Sequence, residues 1–298
     1  MLRSLVGSEM CIRDRATEVA VCSTGLIGER LPMPLLEAGI PQVCSAADRD
    51  GGEAAADAIL TTDTVRKLAV HRGDGWTLGG MAKGAGMLAP GLATMLVVIT
   101  TDAVTSPEDL QQALTAATEV TLNRVDSDGC MSTNDTVLLL ASGASGVEVG
   151  LPELTGALTA VCHDLGQQLL ADAEGAQHDI AVEVVGAASE ADAVEVGRAV
   201  TASNLFKCAI FGKDPNWGRV LSAVGTTHAQ FDPDQLDVSF NGVVVCRAGG
   251  IGEDRSLVDL SERKVHVRID LHAGAETATV WTNDLTYDYV KENAEYST

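Results

Sequence analysis

A threonine at the junction of a glycine-rich turn and an apolar run is the residue of this chain best suited to chemistry. Thr94 follows a turn that contains Gly84 and Gly86, and it precedes an apolar run at 95–100. Cleavage of the bond between Ala93 and Thr94 would give Thr94 a hydroxyl nucleophile and a free α-amine. An α-amine has a reference pKa of about 8, so it can act as the general base for its own hydroxyl near neutral pH. The segment predicts a self-cleaving precursor.

The same glycines allow a second interpretation, a dinucleotide-binding turn. Gly84, Gly86 and Ala89 have the spacing of the relaxed fingerprint G-x-G-x-x-A. That fingerprint requires a strand before it and a helix after it. Residues 95–100 are rich in β-branched side chains and predict a strand, and Pro90 interrupts a helix. Self-cleavage is the stronger functional interpretation, although glycine-rich loops before apolar strands also occur in proteins with neither activity.

The elements that must position this segment are strands and helices in irregular order. The patterns predict helices at 48–60, 106–120, 152–173, 190–202 and 285–294, with Ser106 and Ser189 as N-caps. They predict strands at 19–21, 76–78, 95–100, 137–140, 180–185, 208–211, 236–240, 243–246, 265–271 and 277–281. This order favours a layered α+β fold over a regular βαβ alternation.

Composition limits the classes of function. The chain has 298 residues, of which 46% are hydrophobic and 3% aromatic, and its formal net charge is −22. So acidic a surface repels nucleic acids and anionic membranes, and no apolar run approaches the roughly 20 residues that span a bilayer. The seven cysteines are scattered without C-x-x-C spacing. They predict neither a disulfide framework nor a zinc site, and they favour the reducing cytoplasm.

Six separated blocks resemble the ornithine acetyltransferase family of arginine biosynthesis, whose members are often bifunctional glutamate N-acetyltransferases. The blocks are CSTGLIG at 22–28, MAKGAGM at 81–87, ATML at 93–96, TTDA at 100–103, GKDPNWGR at 212–219 and DLTYDYV at 284–290. The resemblance runs from about residue 18 to residue 298. It implies a layered αββα sandwich, similar in appearance to N-terminal nucleophile hydrolases but with its own connectivity.

The resemblance also implies how the chain matures and reacts. Cleavage between Ala93 and Thr94 would give an α chain, here 16–93, and a β chain, 94–298, which stay together as a heterotetramer of two such pairs. Thr94 would take the acetyl group from N-acetylornithine and pass it to glutamate by a ping-pong route, with no metal or organic cofactor. Whether acetyl-CoA is a second donor is open at this point.

Further site residues are carried over by position. Thr24 and Gly25 match the pair that stabilises the oxyanion, and a hydroxyl beside a glycine N–H suits that role. The matched substrate-binding positions are Thr61 (or Thr62, one residue on), Lys83, Thr94, Glu174, Asn293 and Thr298. The Lys83 ammonium could hold a substrate carboxylate and the Glu174 carboxylate an amino group. Without the resemblance, a loop lysine, a helix-end acid and a frayed tail would be the ordinary interpretations.

Two departures from the family pattern bear on activity. Gln177 and His178 stand where the family usually has Thr-Lys. Family members also carry roughly a hundred further residues before the CSTG block, in line with ordinary domain sizes. Residues 1–15 show no periodicity and are expected to be a non-native leader on a truncated chain. The rival hypotheses are an N-terminal-threonine amidohydrolase or aminopeptidase, in which water accepts the acyl group, and an inactive truncated fragment.

Overall fold

A computed structural model describes residues 19–25, 28–48, 50–88, 95–132 and 134–295. The expected leader, Ala93, Thr94 and Thr298 lie outside these residues. The helices in the described part are α1 (Met33–Ala46), α2 (Gly52–Ala58), α3 (Pro107–Glu119), α4 (Leu151–Ala171), α5 (Glu190–Thr201), α6 (Asn204–Phe211), α7 (Trp217–Val224) and α8 (Tyr287–Glu295). Its strands are β1 (Lys67–Arg72), β2 (Thr77–Lys83), β3 (Leu96–Thr101), β4 (Thr136–Ala141), β5 (Asp179–Ala187), β6 (Asp237–Phe240), β7 (Val243–Arg247), β8 (Gly250–Ile251), β9 (Lys264–Asp270) and β10 (Glu276–Asn283).

The first sheet has four strands in the order β1-β2-β3-β4. β1, β2 and β3 pair antiparallel, whereas β3 and β4 run parallel, with α3 in the connection between them. α3 begins where the sequence predicted, because the Ser106 hydroxyl accepts the Asp109 N–H and Pro107 occupies the first turn. α4 packs on β1 and β2. A Cβ at Gly80 would lie 3.0 Å from the Leu165 side chain, so glycine in β2 permits this close approach.

The second sheet has six strands in the order β10-β5-β9-β6-β7-β8, with β5 and β9 parallel. α5 packs on β10 and β5. Gly197 of α5 lies so close to β10 that a Cβ at this glycine would be 2.7 Å from the Val280 side chain. Each sheet has its own hydrophobic cluster, built mainly of aliphatic side chains, with Trp76 in the first cluster and Phe206 and Phe240 in the second.

The α+β prediction is confirmed, while some local predictions are wrong. Residues 208–211 were expected to form a strand but belong to α6, which Ser203 caps by accepting the Phe206 N–H. Residues 19–21 form no strand. The patterns also missed α1, β1 and α7. Within the described ranges, no helix has the length and apolar character needed to cross a membrane.

Candidate active site

One edge of the first sheet carries the residues that immediately follow the predicted nucleophile. The strand register pairs Lys83 with Leu96, and Leu96 in turn with Thr136. Just beyond that register, the Met95 N–H donates to Asp135 Oδ1 over 2.8 Å. Met95, which directly follows Thr94 in the sequence, is thus held at this edge by Asp135, one residue before the Leu96 that pairs with Lys83.

Lys83 is a buried cation at this edge. It is the last residue of β2, and only 1% of it is exposed. Its Nζ lies 3.9 Å from Asp63 Oδ2, an ion pair that is too long for a hydrogen bond. Burial is the largest influence on Lys83 and lowers its pKa, while the Asp63, Asp135 and Glu174 carboxylates act in the opposite direction. A buried ammonium with so loose a partner is ready to pair with an anionic ligand.

Asp63 fixes the turn that follows Lys83. Its Oδ1 accepts the Gly84 N–H over 2.6 Å and the Lys67 Nζ over 2.7 Å. Lys67 also donates to Asp172 at the end of α4, so this buried network ties β1 to α4. Burial would raise the pKa of Asp63, but the Gly84 N–H and the Lys67 ammonium hold it below its ordinary value. Asp63 is therefore an anion that holds the turn and faces Lys83.

Glu174 and Asn293 come together on the other side of that turn. The Glu174 N–H donates to the Ala85 carbonyl over 2.9 Å, and Asn293 Nδ2 donates to Glu174 Oε2 over 3.0 Å. The carboxylate lies against Gly86, where a Cβ would be 2.8 Å from Oε2. Lys83, Glu174 and Asn293, which the family resemblance selected from distant parts of the sequence, thus surround one turn.

The Thr24–Gly25 pair reaches the same edge through its neighbour. Asn134 Nδ2 donates to the carbonyl of Ser23 over 2.9 Å, and Asn134 directly precedes Asp135. Thr24 is half-buried and Gly25 is exposed. The segment with the predicted oxyanion donors is therefore bound to the loop that also binds Met95.

Thr61 joins the site less directly. Its backbone N–H donates to Asp63 Oδ2 over 3.3 Å, while the residue itself is exposed. Thr62, the alternative by one position, is half-buried. Both lie beside the Asp63 network, and the described contacts do not favour the side chain of either one.

Gln177 and His178 anchor the turn after Glu174. The N–H groups of both residues donate to Asp284 Oδ1 over 2.9 Å. The buried His178 ring contacts Asp284 Oδ2 at 2.7 Å through Nδ1, and it contacts the Leu260 carbonyl at 3.2 Å through Nε2. Gln177 and His178 stand where the family usually has Thr-Lys. They join this turn to Asp284, just after β10, and His178 also joins it to Leu260 in the connection before β9.

Sequence reasoning missed two residues of the site, Asp63 and Asp135. In the sequence, Asp63 is one of several polar residues that follow a predicted helix, and Asp135 is a polar residue before a predicted strand. Both act through partners far along the chain, for example over 40 positions between Asp135 and Met95. No group of three or more His, Cys, Asp or Glu side chains in the described ranges could hold a metal ion.

Comparison with known proteins identifies the relatives of this chain. The ArgJ family model matches residues 3–298. The protein named arginine biosynthesis bifunctional protein ArgJ from Streptomyces avermitilis is 66% identical over 282 residues, which are 95% of this chain and 74% of that protein. The protein of the same name from Thermobifida fusca is 63% identical over 287 residues, with 96% of this chain and 75% of that protein covered.

A solved structure is similar as well. The crystal structure of arginine biosynthesis bifunctional protein ArgJ from Bacillus halodurans aligns with a TM-score of 0.64 and 36% identity. The alignment covers 67% of this chain and 98% of that chain. It supports the predicted fold, and the curated relatives confirm the predicted place in arginine biosynthesis. The chain therefore belongs to the ArgJ family, the ornithine acetyltransferase family that its sequence motifs predicted.

Proposed function

We propose that this chain cuts itself between Ala93 and Thr94 and then transfers an acetyl group from N-acetylornithine to glutamate. The observation that carries the proposal is the strand register, which puts the buried Lys83 ammonium beside the first residues after Thr94. A cation there can hold the carboxylate that both amino-acid substrates share. Met95 and Leu96, which directly follow the nucleophile in the sequence, belong to a rigid sheet edge, and a nucleophile joined to such an edge can be oriented for attack.

The transfer proceeds in two steps through an acetyl-threonine. The Thr94 α-amine takes the proton of its own hydroxyl, and the hydroxyl oxygen attacks the acetyl carbonyl carbon. The Thr24 hydroxyl and the Gly25 N–H donate to the oxyanion, and ornithine leaves with the proton. Glutamate then attacks the acetyl-threonine through its neutral amine, and the hydroxyl of Thr94 is regenerated.

Substrate binding follows from the charges around the turn. Lys83 binds the α-carboxylate, and the Glu174 carboxylate, which Asn293 steadies, binds the side-chain ammonium of ornithine. Thr61 and Thr298 complete the proposed binding set.

The subunit and cellular setting are part of the same proposal. The two pieces stay together after cleavage and pair into a heterotetramer in the cytoplasm. Contacts between residues of the two pieces support their staying together, among them the ion pair of Lys67 with Asp172 and the hydrogen bond from the Glu174 N–H to the Ala85 carbonyl.

Intact mass under denaturing conditions is the first test. Two pieces, 1–93 and 94–298, are expected from the wild-type chain, and a single chain of 30.9 kDa from Thr94→Ala. The purified protein is then given N-acetylornithine with and without glutamate. Formation of N-acetylglutamate supports transfer. Release of acetate at a rate that does not depend on glutamate supports the amidohydrolase rival. Acetyl-CoA offered as donor tests the second activity that the relatives' name, bifunctional, suggests.

A further inference from the structure

Self-cleavage needs a base other than the Thr94 α-amine, which serves as the base only in the cleaved protein. In the uncut chain the nitrogen of Thr94 belongs to the amide bond with Ala93, so it cannot accept the hydroxyl proton as the free amine does later. A serine or threonine hydroxyl is a weak nucleophile unless a neighbouring base takes its proton. This inference rests on the proposed function and asks which side chain starts the cleavage.

Asp135 carries an unexplained oxygen beside the cleavage position. Its Oδ1 accepts the Met95 N–H over 2.8 Å, whereas its Oδ2 is buried and has no hydrogen-bond partner among the described residues. A buried carboxylate oxygen without a partner is costly, and in native proteins it commonly marks a functional group. The unpaired oxygen belongs to the same carboxylate that binds the residue directly after Thr94.

The Asp135 carboxylate binds the backbone group that is covalently joined to Thr94. The Met95 nitrogen, 2.8 Å from Asp135 Oδ1, forms the peptide bond with the Thr94 carbonyl carbon, and consecutive Cα atoms lie about 3.8 Å apart. A general base must come within about 2.6–3.2 Å of the proton it removes. Asp135 is the described acidic side chain that directly binds a backbone group adjacent to Thr94.

The neighbouring carboxylates are already engaged. Asp63 accepts the Gly84 N–H, the Lys67 ammonium and the Thr61 N–H. Glu174 accepts the Asn293 amide on the far side of the turn. Asp102 lies at the opposite end of β3, where it accepts the Thr77 N–H.

We propose that Asp135 is the catalytic base of self-cleavage. Its Oδ2 takes the Thr94 hydroxyl proton as the hydroxyl oxygen attacks the carbonyl carbon of Ala93. The carbon–nitrogen bond then breaks, and the Asp135 carboxyl returns the proton to the departing Thr94 nitrogen. This gives an ester between Ala93 and the Thr94 oxygen, and a free α-amine. Water hydrolyses the ester, which leaves the Ala93 carboxylate and restores the Thr94 hydroxyl.

The electrostatics of Asp135 suit a base that works at neutral pH. Burial raises the pKa of its carboxyl to about 6, against the opposing effects of the Met95 N–H and the Lys83 ammonium. A base is most effective when its pKa lies just below the working pH, because it is then ionised and still basic. Among the described ionisable groups, Lys83 on β2 is the one that acts on its pKa, and the residue just before β3 contributes the Met95 N–H.

The test compares cleavage of variants made in the full chain. Asp135→Asn keeps an acceptor for the Met95 N–H but removes the base, so cleavage should slow by about 10²- to 10⁴-fold. Asp135→Glu should cleave partly, and Asp135→Ala should cleave when formate is added to replace the lost carboxylate. Asp102→Asn is the matched control, because it alters an equivalent carboxylate-to-backbone bond at the far end of β3. Cleavage is followed by intact mass.

The pH dependence gives a readout that a merely structural role would not change. Wild-type chain from cell-free synthesis should cleave faster as the pH rises between about 5 and 7 and then level off, since Asp135 becomes ionised in that range. Asp102→Asn should keep this profile. Wild-type-like cleavage of Asp135→Asn would overturn the proposal and leave the acetyltransferase function intact. Failure of both the formate rescue and Asp135→Glu would overturn it too. Failure of the wild-type chain to cleave would instead count against the proposed function itself.

Discussion

The carboxylate of Glu174 lies directly on the backbone of Gly86, so that a Cβ at this glycine would be 2.8 Å from Glu174 Oε2. The obstructing atom is the end of a flexible side chain, and the backbone around it has no need to move. Gly86→Ala should therefore fold normally but displace the carboxylate. We expect KM for N-acetylornithine to rise by about 10-fold or more, equivalent to about 1.4 kcal/mol, with little change in Tm.

Gly79→Ala is the control for this substitution. Gly79 lies in the same strand as Lys83, and its added Cβ would make only ordinary contacts at 3.9 Å. KM should stay near the wild-type value in this variant. If KM is also unchanged in Gly86→Ala, Glu174 does not bind the substrate.

Two buried lysines of the first sheet, Lys67 and Lys83, should respond in opposite ways to replacement by methionine. Lys67 forms close ion pairs with Asp63 at 2.7 Å and Asp172 at 2.6 Å, whereas Lys83 has one loose pair at 3.9 Å. Lys67→Met leaves two buried carboxylates without their cation and should cost about 3–5 kcal/mol of unfolding free energy.

Lys83→Met should keep or raise Tm, because it removes a poorly compensated buried charge. It should lower kcat/KM for glutamate by at least about 30-fold, since a buried charged contact to substrate contributes about 2 kcal/mol or more. Urea unfolding and steady-state kinetics on the two variants check both expectations. A Lys83→Met protein that loses stability but keeps its kinetics would make Lys83 structural.

Sequence patterns predicted the elements whose signals are local. α3 was located because Ser106 and Pro107 stand together at its start, and their roles depend on residues within one turn. α6 was missed because a short apolar run fits a buried strand as well as a helix, and only the Ser203 cap distinguishes them. The residues of the site were likewise predicted only in part.

Lys83, Glu174 and Asn293 were identified through the family motifs, since nothing in their local sequence marks them. Asp63 and Asp135 were missed because their environment arises only when strands pair. Asp135 becomes a half-buried acceptor for the Met95 N–H once β3 and β4 lie side by side, and spacing along the chain does not reveal that pairing.

Acid stability should report on Asp63. Its folded pKa lies below the ordinary value, so its charge stabilises the fold above about pH 4, and that stabilisation is lost as the pH falls through the folded pKa. The difference in unfolding free energy between wild type and Asp63→Asn should be largest near neutral pH and shrink toward about pH 2–3.

Urea unfolding at several pH values measures this difference. Glu53→Gln is the control, because its partner Arg66 and Glu53 itself are both largely solvent-exposed, and such pairs contribute little. A difference between wild type and Asp63→Asn that does not change with pH would show that Asp63 is not the anion inferred here.

Gly175 lets α8 approach the site closely. Replacing it by alanine should both strain the backbone and displace α8, whereas the same change at Gly146 should only strain the backbone. It has a φ of +63°, and a Cβ there would lie 2.1 Å from the Tyr289 backbone nitrogen. Gly175→Ala must therefore push α8 away and break the bond between Asn293 and Glu174. Gly146→Ala has a similar φ of +71° but open space around its Cβ, so it should cost only about 1–2 kcal/mol of strain. Gly175→Ala should be clearly less stable than this control and should also raise KM for N-acetylornithine. Equal stability and kinetics in the two variants would mean that α8 does not need Gly175 to reach Glu174.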